Sequence, residues 1–388
     1  MSDPAFLVRP LRFAAILGGA LMAGCASVVT PPPAPGTPAA GTPPSMAAAE
    51  PIVRARARWV PVPFADLPGW EQDRIEEAWP ALRQGCVRPP PAWAALCREL
   101  PATAGNGNGD ASLRAWLQQR LQAYRIEPLD GAPAEGLLTG YFEPQVDASR
   151  QRTSAFSVPL YGPPADLASR KPWWTRQQID TLPAAQAALR GREVAWVASP
   201  LDALVLQIQG SGRLLLRPAK AGGEAQLVRV AYAGTNDQPY KSVGRWLIDN
   251  GELKPGEASW PAIRAWAERN PKRVNELLWS NPRVVFFREE PMPDPALGPR
   301  GAQGVPLTPG RSIAVDAQSI PYGTPVWLVS TEPLSSTPLR RLVMAQDTGS
   351  AITGAVRADY FWGWGATAEA QAGRMKQPLR MWALWPRP

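Results

Sequence analysis

Short apolar runs and period-two alternation dominate the middle and end of the chain, while helical spacing is confined to a few stretches. Segments 193–198 (EVAWVA), 204–209 (LVLQIQ), 212–217 (GRLLLR) and 226–232 (QLVRVAY) each predict a strand. A further strand is expected at 283–288 (RVVFFR), and four more at 312–316, 325–330, 341–347 and 379–385. Helical spacing appears at 70–83 (WEQDRIEEAWPALR), which carries Pro80. It appears again at 111–124, where Leu113, Trp116, Leu117, Leu121 and Tyr124 share one face behind a candidate N-cap, Asp110. Helices are also expected at 242–250, 259–269 and 271–280. Gly, Pro and Asp punctuate the strands without a regular strand–helix alternation, which argues against an open parallel sheet. Barrel-like β domains with a few helices fit the pattern better. No internal repeat and no nucleotide-binding glycine loop is present.

The first residues break this pattern. Arg9 and Arg12 precede an apolar run from 13 to 24 that is too short to cross a bilayer. It ends in LMAGC, residues 21–25, and small residues directly before Cys25 resemble a bacterial lipoprotein signal. The expected processing is cleavage and lipid attachment at Cys25. Ala26 follows instead of Asp, so the inner-membrane retention pattern is absent and an outer-membrane anchor facing the periplasm is expected. Residues 26–55 are rich in Pro, with proline at 31, 32, 33, 35, 38, 43, 44 and 51. Such a segment cannot bury a core and reads as an extended tether with a reach on the order of 80 Å. The other two cysteines, Cys86 and Cys97, are able to pair outside the cytoplasm, or to remain buried thiols.

Composition then narrows the chemistry. The 388 residues include 46 Pro and 17 Trp but no His. That removes Ser-His-Asp and Cys-His nucleophile machinery, His-ligated metals and an imidazole base. Three cysteines are too few for an iron–sulfur cluster or a four-thiolate zinc site. Lys and Arg number 41 against 33 Asp and Glu, a net charge of +8 that suits a polyanionic partner. The charge is spread without a basic run or a nucleic-acid motif, so nucleic acid is not expected.

Four segments look too polar and Gly-rich for core strands: 138–144 (LTGYFEP), 207–213 (QIQGSGR), 232–245 (YAGTN, then PY and SVGR), and 347–365 (DTGSAITG, then RADYFWGWG). Each mixes amide or hydroxyl donors with aromatic rings, the chemistry of carbohydrate recognition. As turns they would be unremarkable singly, but four in one chain weigh against that reading. Polar and aromatic groups beside glycines suit close approach of a polymer, and Tyr141, Gln209, Gly210 and Ser211 are expected to contact it. Three aspartates stand out in the last hundred residues: Asp316, Asp347 and Asp359. Two of them end apolar runs, where low-dielectric surroundings raise a carboxyl pKa unless hydrogen bonds oppose them.

Segments 306–316 (PLTPGRSIAVD), 321–327 (PYGTPVW), 347–354 and 357–365 resemble the 3D domain, named for three aspartates. Segments 64–70 (FADLPGW), 140–144, 207–213, 232–245 and 281–289 resemble its partner in the membrane-bound lytic murein transglycosylase A family. The resemblance covers roughly 60–388, with Ser350 standing where the family usually shows Gly. It implies a mainly β fold: a double-ψ β-barrel from 56–144 and 283–388, its 3D portion over 300–388, with a β-rich domain inserted at 145–282 and a deep groove between. It implies cleavage of the β-1,4 bond between N-acetylmuramic acid and N-acetylglucosamine without water, leaving 1,6-anhydro ends. Asp359 would be the single acid/base, Asp347 a tuning neighbour, and Asp316 supportive. No metal or cofactor is implied. The implied partners are peptidoglycan glycan strands, outer-membrane lipid and other cell-wall enzymes. A hydrolase would instead need a second carboxylate facing Asp359, with Glu143 or Asp347 as candidates.

Overall fold

The computed structural model describes residues 49–103, 109–218, 223–292 and 294–387. Cys25, the signal segment and most of the expected tether lie outside the described residues. The end of that tether is drawn into a sheet: Ile52–Val53 (β1) pairs with Arg58–Val62 (β2), and Arg54 stacks 4.6 Å over the Trp59 ring.

Among the described residues the chain is mainly β and forms two sheets. Its first strands are completed by Leu121–Glu127 (β3) and Gly136–Glu143 (β4). Six strands follow: Gln145–Ser149 (β5), Val158–Tyr161 (β6), Glu193–Val197 (β7), Ser211–Leu216 (β8), Gln226–Thr235 (β9) and Val285–Glu290 (β10). The last five are Ser312–Val315 (β11), Pro325–Thr331 (β12), Pro338–Asp347 (β13), Arg357–Trp364 (β14) and Lys376–Pro386 (β15). One sheet has the order β1-β2-β3-β15-β12-β13-β11-β14-β4 and the other β10-β9-β8-β5-β7-β6. In the first, β4 also pairs with β15, so six strands return on themselves. The strand read at 283–288 forms at 285–290 and pairs with β9, so it belongs to the second sheet, beyond the boundary expected at 282.

The first sheet is buried on both faces. Val326 and Leu328 of β12 enter one core with Trp59, Val343 and Met381. Trp327 and Val329, pointing the other way, enter a second core with Leu82, Trp93 and Leu117 from the N-terminal helices. This explains why β12 reads as a nearly continuous apolar run. Cys86 and Cys97 form a disulfide with Cα atoms 5.3 Å apart, within this helical layer.

Three expectations fail for identifiable reasons. Residues 204–209 are not a strand but the end of a helix, Pro200–Gln209. The Ser199 side chain accepts from the Leu201 N–H, Pro200 opens the first turn, and Gly210 closes the helix at φ +79°. Those end signals outweigh the β-branched content between them. The helix expected at 70–83 is broken into Trp70–Gln72, Ile75–Ala78 and Trp79–Gly85, the last opened by Pro80 in its first turn. The helix at 111–124 runs Gly109–Arg120 and gives way to β3 at Leu121. Asp110 does not cap it from outside; its Oδ1 accepts the Glu76 N–H at 2.7 Å.

Candidate active site

Two segments read as too polar for core strands, 138–144 and 357–365, are the strands β4 and β14, paired in parallel. Glycine makes the close pairing possible. A Cβ on Gly136 would stand 1.7 Å from the Val356 carbonyl oxygen. The polar side chains are accommodated because they satisfy one another. Leu138, Ala358 and Tyr360 turn into the core. The alternating positions Thr139, Tyr141 and Asp359 share the opposite face.

On the other side of β14 lies β11. Its Ala314 pairs with Asp359 of β14 on one side and Asp347 of β13 on the other. The β11–β13 register slips between Ile313 and Ala314, an irregularity of the kind that re-aims a side chain. Strand spacing places the two aspartate Cα atoms roughly 10 Å apart. Thr139 Oγ1 donates to Asp359 Oδ1 at 2.6 Å, and Arg357 Nη2 donates to the same hydroxyl at 2.9 Å, which leaves its proton for the carboxylate. Two residues along β4, the Tyr141 hydroxyl donates to Asp347 Oδ2 at 2.9 Å. Asp347 Oδ1 accepts the Ala302 N–H at 3.0 Å.

These surroundings set the two carboxyls apart. Burial pushes Asp359 up to about 6, assisted by the charge of Asp347 and opposed by Thr139 and Arg357. Burial also raises Asp347, against hydrogen bonds from the Thr348 and Ala302 amides and from Tyr141. Tyr141 is held well above its ordinary value by burial and by both carboxylates, so it remains a donor. Asp316 has another role. Its carboxylate accepts from Arg56, the Gln318 amide and the Gly354 amide, and is held below the usual range despite burial. It fastens the loop that joins Asp347 to Asp359.

A cavity of about 1020 Å³ opens between the two sheets. Tyr141, Gln209, Gly210, Ser211 and Asp347 all line it. Asp359 does not line the cavity and keeps partial exposure. Gln209 sits at the last turn of its helix, and its side-chain oxygen accepts the Phe142 N–H at 3.3 Å. Gln209→Ala is expected to weaken binding of a chitin oligomer several-fold. It should also cost about 1 kcal/mol of stability for the lost acceptor. Titration calorimetry and melting of the same preparations check both; unchanged affinity would reduce Gln209 to a strand clip.

Other residues of the polar segments are used internally. Asn236 is fully buried. Its amide donates to the Trp174 and Pro282 carbonyls and accepts the Val284 N–H. Glu143 is equally buried and bridges Arg213 of β8 at 2.7 Å and Arg229 of β9 at 2.5 Å. Sequence reasoning missed Thr139, and it missed Arg88, Arg283, Arg288 and Arg300 on the cavity wall, where Tyr232 and Tyr240 of the 232–245 segment also lie. Thr139 lay inside a quoted motif but carried no signal of its own. The arginines come from distant segments, so no basic run announced them.

Family models match at 137–288, described as the MltA specific insert domain, and at 311–385, described as the 3D domain. The membrane-bound lytic murein transglycosylase A of Vibrio cholerae is 34% identical over 268 residues, which is 66% of this chain and 67% of that one. The chain belongs to the membrane-bound lytic murein transglycosylase A family. This is a family of peptidoglycan-cleaving lyases. The Escherichia coli relative aligns over 64% of its own length. Among solved structures, a lytic transglycosylase, LtgG, of Burkholderia pseudomallei is 45% identical, covering 85% of this chain and 96% of that one at a TM-score of 0.61. MltA from Neisseria gonorrhoeae is 29% identical with 88% and 99% covered and a TM-score of 0.72. E. coli MltA with bound chitohexaose is 28% identical, with 87% and 94% covered at 0.62.

Proposed function

We propose that the protein cleaves the β-1,4 bond between N-acetylmuramic acid and N-acetylglucosamine in peptidoglycan without water, through Asp359 as sole acid/base. The observation that carries this reading is the largely buried Asp359 carboxyl, raised to about 6 and hydrogen-bonded by Thr139 beside a glycan-sized cavity. At that pKa the group is able to hold a proton for the leaving oxygen and then to take one back. The muramic C6 hydroxyl attacks its own anomeric carbon as the glycosidic bond breaks. Asp359 gives its proton to the departing oxygen and then receives the C6 hydroxyl proton, which leaves a 1,6-anhydro end. The nucleophile is part of the substrate, so effective molarities of roughly 10⁵ M or more replace a second carboxylate.

A hydrolase reading finds its two candidates already engaged. Glu143 is buried between two arginines. Asp347 accepts from Tyr141 and from backbone amides. The exposed rings of Tyr232 and Tyr240 on the cavity wall suit stacking against sugar faces.

Mass spectrometry of products released from purified sacculi tests the reading: anhydro ends support it, and reducing ends or no products reject it. Because Asp359 must begin protonated, kcat/KM is expected to fall about tenfold per pH unit above about 6. A rate that stays level to pH 8 would remove Asp359 from the acid role.

The proposal extends to the rest of the chain. The six strands that return on themselves form the double-ψ β-barrel, with 145–282 extended to β10 as the inserted domain. Cys25 is lipidated and anchors the protein to the outer membrane on the periplasmic side, where glycan strands and other cell-wall enzymes are its partners. Cys25→Ser should move the protein from the membrane fraction to the soluble periplasm, and unchanged fractionation would reject the anchor.

A further inference from the structure

Among the described residues, the cavity wall carries four guanidinium groups, from Arg88, Arg283, Arg288 and Arg300, and a single carboxylate, Asp347. Two of the four crowd one residue. Arg300 Nη1 donates to the Gly304 carbonyl at 3.1 Å. Arg88 lies so close that a Cβ on Gly304 would stand 2.4 Å from its Nη1, and Gly304 itself takes φ +80°. Only glycine admits this approach. The same loop supplies the Ala302 amide that holds Asp347, so the pair stands beside Asp347.

Little internal charge offsets the pair. Among the described residues, no carboxylate lies within ion-pair distance of Arg88. Arg300 reaches only Glu290, at 3.7 Å, and shares it with Arg288 at 3.6 Å. Like charges brought to one stretch of wall repel until an anion arrives beside them, and a guanidinium fork suits a carboxylate. A neutral sugar polymer offers no such group. Murein does: its muramic acid bears a lactyl ether that ends either in a free carboxylate or in a peptide with carboxylates of its own.

We propose that Arg88 and Arg300, flanking Gly304, form a receptor for a carboxylate carried by the muramic lactyl group or its peptide. The inference rests on the peptidoglycan reading of the same cavity and adds how murein is told from neutral chitin. It makes the two arginines specificity residues, acting on binding of the strand rather than on proton transfer.

The test compares binding of three probes: neutral chitohexaose, murein strands stripped of peptide, and peptide-bearing strands. Arg88→Gln/Arg300→Gln is expected to lose about tenfold in affinity, or about 1.4 kcal/mol, for murein probes at low salt. Its affinity for chitohexaose should be unchanged, and its salt dependence on murein flatter than that of wild type. Loss already present on stripped strands assigns the lactyl carboxylate; loss confined to peptide-bearing strands assigns the peptide. Arg83→Gln, exposed and away from the cavity, is the charge control. Should the double Gln variant melt early, Arg88→Lys/Arg300→Lys keeps the charge without the fork and should lose affinity on murein alone. Unchanged affinity, or an equal loss on all three probes, overturns the proposal. Anhydro-end formation by the wild-type protein is scored separately, so failure of the cleavage reading is not mistaken for failure of the receptor.

Discussion

Asp359→Asn is expected to abolish nearly all turnover while leaving glycan binding intact. The amide keeps the shape and the Thr139 contact but carries no transferable proton. The loss should be on the order of 10² to 10⁴-fold in kcat, the usual value of an acid/base group. Stability should move the other way. Asp359 has a native pKa of about 6 against an ordinary 3.8. A carboxyl raised in this way favours the folded state most below its unfolded value and costs stability as pH rises through the native one. Above pH 6 the wild type therefore carries a penalty of up to about 3 kcal/mol that the variant lacks. The variant should melt higher than wild type at pH 8, and the difference should close toward pH 4. Near-normal release of anhydro-muropeptides by Asp359→Asn would pass the acid role to Asp347.

Glu143→Ala should be the most destabilising single change at a charged position. Arg213 and Arg229 face each other across β8 and β9, a like-charge pair directly opposed in the ladder. Both are nearly inaccessible, and Glu143 from the other sheet answers both. Their remaining donors reach the Pro295 and Leu297 carbonyls, and the Arg213 guanidinium lies 3.7 Å over the Trp364 ring. Removing the carboxylate leaves two buried cations uncompensated, at a cost of about 3–5 kcal/mol. Denaturant titration reads this directly. Restoring stability by replacing all three groups with apolar residues would show that the cost is desolvation rather than lost packing. A Glu143→Ala variant within 1 kcal/mol of wild type would contradict this account of the junction.

The sequence was most informative where side-chain type and backbone demand coincide. Apolar runs along 325–330 and 226–232 located strands because most of those positions are buried. It misread 204–209, where apolar content is the same for strand and helix and the decision falls to Ser199, Pro200 and Gly210 at the ends. Motif residues of the site were legible as chemistry but not as structure. Thr139 and Asp359 look like turn formers until the parallel pairing of β4 with β14 lets each satisfy the other. Asn236 and Glu143 had the composition of ligand-binding residues yet serve as internal fasteners, because burial is a property of the fold and not of the residue. The arginine wall was invisible for a related reason. Its members are spread from Arg88 to Arg300, and only the closure of the two sheets brings them to one surface.

The contacts that define the site also fix when it can exist during synthesis. Thr139 and Asp359 are 220 residues apart in the chain, and Tyr141 and Asp347 are 206 apart. Strand β4 emerges early and must wait for β14 and β15 before either of its edges is paired. Closing so long a loop is slow, and nothing local rewards it beforehand. A nascent or truncated chain lacking these two strands therefore holds Tyr141 and Gln209 of the cavity wall without Asp359. The site is thus incomplete until β14 and β15 have been made.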